Sequence, residues 1–368
     1  MPTPVTTTFN IVQVIDRLHI GGAERVLVTL SNLLYEHGHH VTVLTTVTPG
    51  PLAESLHKNI PLVNLNRRSK WNPFTMLRLI KTVRKFDIVH VHSRHNLRYL
   101  WLAKKIFGLK TPVFYHEHHG YRIHTSATAL EKKMFAGVVF IAVSEQLKAW
   151  AIQKACTKES QTFTLANTVI RYVHDKALTA RKESAFTELV MTGNFVPVKN
   201  MAFAIQLLAY LNAAETRYKL TIIGSVADKN YYESIVALVS SEGQEKYVRY
   251  ITDCKNIQPI LHQFDLAIHT ATSESGPLVL VEYIAQGLPF VTYETGEVTA
   301  QVKEALPASV INNFNVEDWA GRIRLIQQQD KLKTGAQLAA IFEAYYSAAA
   351  YYQKCMNIYD EGLQHTNQ

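Results

Sequence analysis

Short β-branched runs alternate with helix-forming segments along this chain. FNIVQVI at 9–15 is followed by a loop with Gly21-Gly22 and then by AERVLVTLSNLLYEHG, whose apolar residues recur at helical spacing. HHVTVLTT, FDIVHVHS, TPVFYHEH and VVFIAVSE repeat the strand pattern, with helical stretches such as NPFTMLRLIKTVRKF between them. Strands that alternate with helices predict a parallel sheet covered on both faces.

The same alternation restarts near residue 187, which predicts a second domain. TELVMTGNF, YKLTIIGS, KYVRYIT, DLAIHTA and LPFVTYE have the composition of strands, and MAFAIQLLAYLNAA and PLVLVEYIAQG that of helices. The polar segment 173–184 marks the join. We therefore predict domains at 1–172 and 173–346, with a C-terminal helix at 347–368 rejoining the first, in keeping with a length of 368 residues.

Several classes of protein do not fit this composition. No apolar run reaches the roughly 18 residues that a membrane span requires. The N-terminus lacks a basic segment before its apolar stretch, so a secretory signal is not expected. The three cysteines, Cys156, Cys254 and Cys355, are widely separated. Their spacing favours a reducing cytoplasm over a disulfide framework or a zinc site.

The net charge of +8 is distributed unevenly. Residues 1–175 hold 22 Lys and Arg against 10 Asp and Glu, whereas residues 176–368 hold 16 against 20. Twelve of the basic residues lie in 67–110, together with one acid, Asp87. This segment is either a solvated helix face or a surface for an anionic membrane or acceptor. Nucleic acid is not expected as a partner, because no known binding module accompanies the charge.

One carboxylate, Glu282, interrupts the apolar run LVLVEYIA, and a second, Glu274, precedes it by eight residues. Pro277 suits the start of a helix and Gly287 its end, so the N–H groups of Leu278 and Val279 would face an anion such as phosphate. A buried carboxylate is costly unless it is satisfied. The two hydroxyls of a ribose would satisfy Glu282, and so would a neighbouring Lys or Arg.

This arrangement of two glutamates followed by a helix ending in G-L-P resembles the donor site of retaining glycosyltransferases of the GT-B fold, family 4. IGGAERV, DIVHVHS, FYHEHHG, IAVSE, TGNFVPVKN and LTIIGS resemble further motifs of that family in the correct order. The resemblance spans about residues 11–330. It implies an α/β protein of the GT-B class, with two Rossmann-like doubly wound domains facing a central cleft.

The resemblance also implies roles for individual residues. Glu282 would hold the ribose hydroxyls of a nucleotide, Glu274 the donor sugar, and Lys199 the diphosphate, while His118 would lie beside the reacting sugar. Glu274, Lys199 and His118 are thus the predicted catalytic residues. The donor would also contact a further set of residues, namely Gly21, Gly22, Asn194, Ser275, Gly276, Leu278 and Val279. For Gly21-Gly22 an ordinary turn between a strand and a helix is the alternative.

Three departures from the family pattern bear on activity. Asn194 stands where the family usually has an arginine that assists the lysine, so the lost charge would have to come from Arg17, Arg25 or another arginine. Pro277 removes one N–H group from the turn that would face phosphate. Asn167-Thr168 replaces the usual Asn-Gly.

Four histidines near 116–124 raise the alternative of a metal cluster. Strand alternation places His116 and His118 on one face and His119 on the other, and His124 lies further along. The resemblance implies catalysis without a metal, so no metal ligands are predicted. Four unliganded histidines are a further alternative.

The predicted function is transfer of a hexose-type sugar from a nucleoside-diphosphate sugar, most often UDP-linked in this family, to a hydroxyl with an α linkage. The nucleotide sugar is a substrate, and no cofactor is expected. The acceptor would be a glycan or lipid-linked molecule of the bacterial cell surface, used by a cytoplasmic enzyme peripheral to the membrane. The alternatives are a GT-B sugar-nucleotide epimerase and a non-catalytic sugar-binding subunit. A dehydrogenase fits less well, because no G-x-G-x-x-G opens the first helix.

Overall fold

The computed structural model describes residues 7–69, 71–174, 184–214, 217–254 and 256–366. The chain divides into two compact units, the first formed by Met1–Thr168 with Ala348–Gln368 and the second by Val169–Ser347. Most of the polar segment in which the sequence predicts the domain join, namely 175–183, lies outside the described residues, as does Lys70 of the basic segment.

The first unit is built on a sheet of seven parallel strands in the order β3-β2-β1-β4-β5-β6-β7. These strands are β1 (Asn10–Ile15), β2 (His40–Thr45), β3 (Leu62–Asn64), β4 (Ile88–His92), β5 (Val113–Glu117), β6 (Val139–Ala142) and β7 (Thr162–Thr164). Strands β4, β5 and β6 are buried at every position, as expected for a parallel sheet with both faces covered.

Six α-helices among the described residues accompany this sheet. They are α1 (Gly22–Glu36), α2 (Pro73–Val83), α3 (Arg94–Phe107), α4 (Ala129–Phe135), α5 (Glu145–Gln153) and, from the C-terminus, α12 (Ala348–Thr366). The start of α2 shows how the sequence sets a helix boundary, because Asn72 accepts hydrogen bonds from the N–H groups of Phe74 and Thr75 and Pro73 occupies the first position. Among the described helices, none combines the length and apolar character that crossing a bilayer would require.

The second unit contains a sheet of six parallel strands in the order β10-β9-β8-β11-β12-β13. The strands are β8 (Thr187–Thr192), β9 (Tyr218–Ile223), β10 (Val248–Ile251), β11 (Leu266–His269), β12 (Phe290–Tyr293) and β13 (Val310–Ile311). The helices are α6 (Met201–Ala214), α7 (Lys229–Ser241), α8 (Leu278–Ala285), α9 (Val298–Ala305), α10 (Val316–Gln327) and α11 (Lys331–Ile341).

The strand order of the second sheet determines where its polar loops meet. Strands β8, β11 and β12 are adjacent and parallel, so the loops that follow them emerge at the same edge. Ligands of open α/β sheets bind at this carboxyl edge, where the strand order reverses. The predicted α/β class with two Rossmann-like doubly wound domains is confirmed. The short strands β3, β7 and β13 were not predicted, and the segment IQPILHQF forms a 3-10 helix at Gln258–Gln263.

Candidate active site

The loop after β8 is shaped by the close approach of two backbones. A side chain at Gly224, just after β9, would place its Cβ 1.9 Å from the carbonyl oxygen of Gly193. A Cβ at Gly193 would in turn lie 3.2 Å from Cδ of Lys199. The loop therefore folds back tightly over the Lys199 side chain, and glycine at 224 is needed for the two strand ends to come together.

Lys199 and Glu274 form an ion pair between their Nζ and Oε1 atoms. Their side chains are 20% and 18% exposed. Lys199 ends the 3-10 turn Pro197–Lys199 after β8, and Glu274 lies in the loop after β11, so the pair joins loops from two neighbouring strands. The structure thus brings together two of the three predicted catalytic residues.

A third charged or polar group of this site, His269, was not singled out by the sequence. It is the last residue of β11, its side chain is 1% exposed, and its Nε2 atom lies 3.5 Å from Oε1 of Glu274. The other ring nitrogen, Nδ1, is 3.1 Å from the hydroxyl of Thr292. Burial lowers the pKa of His269, although the Glu274 carboxylate opposes that change. The sequence signal that could have identified His269 is a histidine at the end of an otherwise apolar strand that leads into the site.

Neighbouring groups stabilise the ionised form of Glu274. Burial raises the pKa of this carboxyl group, but the Lys199 ammonium and then His269 outweigh burial and bring the pKa to about 2. Glu274 is therefore ionised at neutral pH, and its oxygens can only accept hydrogen bonds. Such a group can hold a sugar hydroxyl in a fixed position.

The loop from Glu274 to Pro277 is held by the loop after β12. The Glu274 N–H donates to the hydroxyl of Thr295 over 2.9 Å, and the Ser275 carbonyl accepts from the N–H of Glu297 over 2.8 Å. Gly296 has a φ of +79°, and a Cβ there would lie 2.8 Å from Cδ of Pro277. A residue with a side chain at 296 would displace the loop that carries Glu274.

Helix α8 starts immediately after this loop. It begins at Leu278, one residue later than predicted, because Pro277 has an extended ψ of 106°. The first N–H groups of a helix lack partners within the helix and favour an anion, so Leu278 and Val279 offer such a position. Glu282 lies one turn inside α8 and is 4% exposed. Gly287 ends the turn after the helix with a φ of +65°.

Asn194, at the position where the family usually has arginine, is exposed in the loop after β8. Its Oδ1 atom accepts a hydrogen bond from the hydroxyl of Ser225 over 2.8 Å. Asn194 therefore joins the loops after β8 and β9 and adds no positive charge beside Lys199.

In the first unit, Gly21 is the residue before α1 and Gly22 is its first residue. The φ and ψ of Gly21, −150° and 168°, are extended and open to any residue. A Cβ at Gly21 would meet Oε2 of Glu24 at 2.3 Å, which is the mobile end of a side chain. The structure gives no conformational reason for glycine at 21.

His118 follows β5 and packs against other histidines. Its ring lies 4.2 Å from that of His116 and 5.2 Å from that of His92, and its Nε2 atom is 3.0 Å from Nδ1 of His92. Burial, followed by the proximity of His116, holds the pKa of His118 well below its usual value. His118 is therefore a neutral imidazole at neutral pH.

The remaining predicted histidines lie apart from this stack. The Nδ1 atom of His119 lies 3.0 Å from Oε1 of Glu117, away from the ring of His118, as the strand alternation indicated. His124 is exposed in the turn Gly120–His124. The stack instead contains His90 and His92 of β4. The HVH spacing of β4 beside the HEH spacing of β5 was the signal for this grouping.

Models of two glycosyltransferase families match successive parts of the chain. The Glycosyltransferase Family 4 model matches residues 20–169, and the Glycosyl transferases group 1 model matches residues 145–339, more than half of the chain. The chain belongs to the group 1 glycosyltransferases. Lys199, Glu274 and Glu282 lie within the second match, and His118 lies within the first.

This group 1 glycosyltransferase is 24% identical over 302 residues to the N-acetyl-alpha-D-glucosaminyl L-malate synthase of Bacillus anthracis, covering 75% of this chain and 77% of that enzyme. HepE from Anabaena, solved in complex with UDP and glucose, is similar with a TM-score of 0.79 at 18% identity, covering 96% of this chain and 99% of that one. The lipopolysaccharide outer core galactosyltransferase WaaB has a TM-score of 0.68 at 16% identity, covering 95% and 98%. These similarities confirm the GT-B fold.

Proposed function

We propose that this group 1 glycosyltransferase moves a hexose-type sugar from a nucleoside-diphosphate sugar to an acceptor hydroxyl, with retention of the α configuration. The observation that carries the proposal is the Lys199–Glu274 pair beside the start of α8. This arrangement places a cation, a helix N-terminus and an ionised carboxylate at one sheet edge. A cation and a helix N-terminus suit a diphosphate, and an ionised carboxylate can accept a hydrogen bond from a sugar hydroxyl.

Each residue has a defined part in this proposal. Lys199 neutralises the diphosphate as negative charge develops on its leaving oxygen, and the N–H groups of Leu278 and Val279 bind phosphate oxygens. Glu282 accepts hydrogen bonds from the ribose hydroxyls, and Glu274 accepts one from the donor sugar. The backbones of Ser275 and Gly276, the Asn194 loop and the Gly21-Gly22 turn complete the proposed donor contacts.

The proposed reaction is a displacement on the same face of the sugar. The bond from the anomeric carbon to the phosphate oxygen breaks, and a bond from the acceptor oxygen to that carbon forms. The acceptor proton passes to the leaving phosphate oxygen, so no protein carboxylate serves as a covalent nucleophile. We assign His118, a neutral imidazole, to the reacting sugar. The protein then contributes positioning and charge stabilisation, without a cofactor or a metal ion in the reaction.

Similar proteins support a UDP-sugar donor and a cell-surface acceptor. HepE was solved with UDP and glucose, and WaaB is a lipopolysaccharide outer core galactosyltransferase. We therefore propose UDP as the nucleotide and a glycan or lipid-linked hydroxyl of the bacterial cell surface as the acceptor. A cytoplasmic location at the inner membrane surface follows from such an acceptor, with the basic segment 67–110 as the contact to anionic lipid.

A non-catalytic sugar-binding role is the second candidate, and Asn194 is the observation that favours it. The side chain at this position bonds Ser225 and leaves Lys199 as the cation of the pair. Such a protein would bind the nucleotide sugar without turning it over. A GT-B epimerase would instead convert the donor sugar in the absence of any acceptor.

Thermal shift with UDP, GDP, ADP, CMP and NAD⁺ tests the nucleotide first. A ligand at about 100 times its Kd adds about 2.7 kcal/mol of stability, which produces a clear shift. We expect a shift with UDP that Lys199→Met reduces. A shift with NAD⁺ alone would overturn the assignment.

Product analysis then separates the three functions. We expect UDP-glucose or UDP-galactose and a suitable acceptor to give UDP and an α-linked product, identified from its anomeric proton signal. An isomerised donor sugar without acceptor would indicate an epimerase. Nucleotide binding with neither transfer nor isomerisation across an acceptor panel would favour the non-catalytic role.

A further inference from the structure

Three histidines of the first unit meet inside its sheet, and we call them the histidine trio: His90, His92 and His116. His90 and His92 are two residues apart on β4 and so share a face, and His116 of β5 is the register partner of His92. All three side chains are fully buried. One candidate ligand nitrogen from each residue lies within 4.8 Å of the other two.

The trio contains buried ring nitrogens that lack hydrogen bonds. Within the described residues, Nε2 of His90 and both ring nitrogens of His116 have no hydrogen-bond partner of normal geometry, although the Leu165 backbone approaches His116. A buried polar group left unsatisfied costs about 1–3 kcal/mol. Such nitrogens in one cluster are costly unless another atom binds them.

The other nitrogens of the trio already have partners, and Nδ1 of His92 would exchange its contact with Nε2 of His118 for the ion. Nδ1 of His90 lies 2.7 Å from the hydroxyl of Tyr359 in α12, and Nε2 of His92 lies 2.8 Å from Oε1 of Gln13 in β1. If His90 donates through Nδ1, its Nε2 carries a free lone pair. Metal-binding histidines are oriented by outer partners of this kind.

We propose that the histidine trio binds one divalent transition-metal ion, with Zn²⁺ as the first candidate. Imidazole nitrogens suit Zn²⁺, Cu²⁺, Ni²⁺ and Co²⁺, whereas Mg²⁺ and Ca²⁺ require oxygen ligands that the trio does not supply. Ligand nitrogens around a tetrahedral zinc ion lie about 3.3 Å apart, given Zn–N distances of about 2.0–2.1 Å. The trio would therefore have to close by up to about 1.5 Å when the ion binds.

The surroundings of the trio suit such an ion. All three imidazole rings are fully buried, so bulk water does not reach their nitrogens. His118, whose Nε2 atom contacts Nδ1 of His92, is in position to be a fourth ligand or to pack on the coordinated rings. The ion would join β4 to β5. It would also restrict the ring of His118, which lies against His92. This role is structural and does not depend on the proposed transfer reaction.

Metal content of the full chain is the direct test. The chain is unfolded in a chelator and refolded with Zn²⁺, because a buried site fills most readily as the protein folds. After removal of loosely held ion, we expect one Zn²⁺ per chain by elemental analysis and three or more imidazole ligands by X-ray absorption. No retained ion, or an ion with oxygen or sulfur ligands, would overturn the proposal.

Two variants and a control locate the ion. His116→Gln removes a ligand and should abolish stoichiometric binding, and Tyr359→Phe removes the outer partner of His90 and should weaken binding by about 10–100-fold. His124→Gln changes an exposed histidine and should leave binding unchanged. Equal binding by parent and Tyr359→Phe, together with loss in His124→Gln, would assign the ion to surface histidines. The absorption measurement on the parent keeps the proposal testable if His116→Gln fails to fold.

Discussion

Lys199 and Glu274 form an ion pair although 75 positions separate them in the chain. They meet because β8 and β11 are neighbouring parallel strands, so the loops after them leave the same edge of the sheet. The sequence around each residue gives no sign that the two side chains form a pair. The pairing gives a charged site at the carboxyl edge of the second sheet, where we propose that the donor binds.

Separate substitutions of the two glutamates test their proposed roles. Glu282→Ala should weaken nucleotide binding by about 10–100-fold, because hydrogen bonds to a charged group are worth about 1.5–3 kcal/mol. Glu274→Ala should leave nucleotide affinity nearly unchanged and lower kcat by about 100-fold or more, since its contact is to the reacting sugar. Calorimetry with UDP and a transfer assay measure the two quantities.

The exposed Glu317 at the start of α10 supplies a control for loss of a carboxylate. Glu317→Ala should change neither UDP affinity nor kcat. Parental binding and turnover in both Glu274→Ala and Glu282→Ala would show that neither glutamate has its proposed role.

The Lys199–Glu274 pair also predicts a pH dependence of stability. The folded pKa of Glu274, about 2, lies below the ordinary value of 4.5, so ionised Glu274 stabilises the fold above pH 4.5. That contribution is lost as the pH falls from there toward 2. Thermal unfolding followed by circular dichroism between about pH 5 and pH 2.5 should therefore show a steeper loss of stability in the parent than in Glu274→Gln.

Lys199→Met provides the second arm of this experiment. The Lys199 charge is the largest influence that lowers the pKa of Glu274, and burial opposes it. Without the ammonium group the pKa of Glu274 should rise toward its ordinary value, so the acid-dependent loss should be smaller and should end at a higher pH. Glu317→Gln, which changes an exposed carboxyl group at the start of α10, is the matched control. Identical pH profiles for parent, Glu274→Gln and Lys199→Met would contradict the assigned pKa.

Much of the fold can be predicted from the sequence because it depends on local periodicity. β-Branched runs that alternate with amphipathic segments predict parallel sheets, and the long, strongly patterned elements such as β1, α1 and β8 are confirmed. The short strands β3 and β13 have three and two residues, too few to show a period. Their pairing with β2 and β12 is decided by tertiary contacts.

Less of the site could be predicted, because its geometry depends on residues far apart in the chain. The order of motifs pointed to Glu274, Glu282 and Lys199, but nothing local indicates that the first and the last form a pair. In the sequence His269 is an ordinary strand residue. Its proximity to the Glu274 carboxylate depends on the fold of the loop after β11. Grouping of His90 with His116 likewise requires knowing that β4 and β5 are neighbours.

Glycine at 224 is predicted to be essential for the shape of the Lys199 loop. Gly224→Ala puts a methyl group against the Gly193 carbonyl, at 1.9 Å in the present geometry. Both groups are backbone or directly attached to it, so the loop has to move, and we expect a loss of about 1–3 kcal/mol in stability. UDP affinity should fall as well, because Gly193 lies against Lys199.

Gly321→Ala is the matched comparison for this change. Gly321 lies within α10, and a Cβ there meets no atom within 4 Å. Alanine in a helix interior is favoured over glycine by about 0.5–1 kcal/mol, so this variant should be more stable than the parent. Urea unfolding measures both variants. A Gly224→Ala variant with parental stability and UDP affinity would show that the loop tolerates displacement.

The final prediction concerns the exposed end of α2 in the basic segment. Trp71 and Phe74 are 73% and 81% exposed there. Four exposed cations, Arg78, Lys81, Arg84 and Lys85, follow along and just beyond the helix. Aromatic residues beside a basic helix face suit the interface of an anionic bilayer, where each cation contributes about 1 kcal/mol. We expect the chain to co-sediment with anionic vesicles at low salt and to dissociate as salt is raised.

Two pairs of substitutions separate the charge from the aromatic contribution. Changing Arg84 and Lys85 to Glu should reduce binding by about 10-fold or more and flatten its salt dependence. Changing Trp71 and Phe74 to Ser should also weaken binding by about 10-fold or more while leaving the salt dependence intact, because burial of such side chains is worth about 1.5–3 kcal/mol each. Leu332→Ser, at a residue 86% exposed in the second unit, should have no effect. Binding that is absent at low salt, or equal for all these variants, would leave the basic segment as a solvated surface and move the acceptor to a soluble molecule.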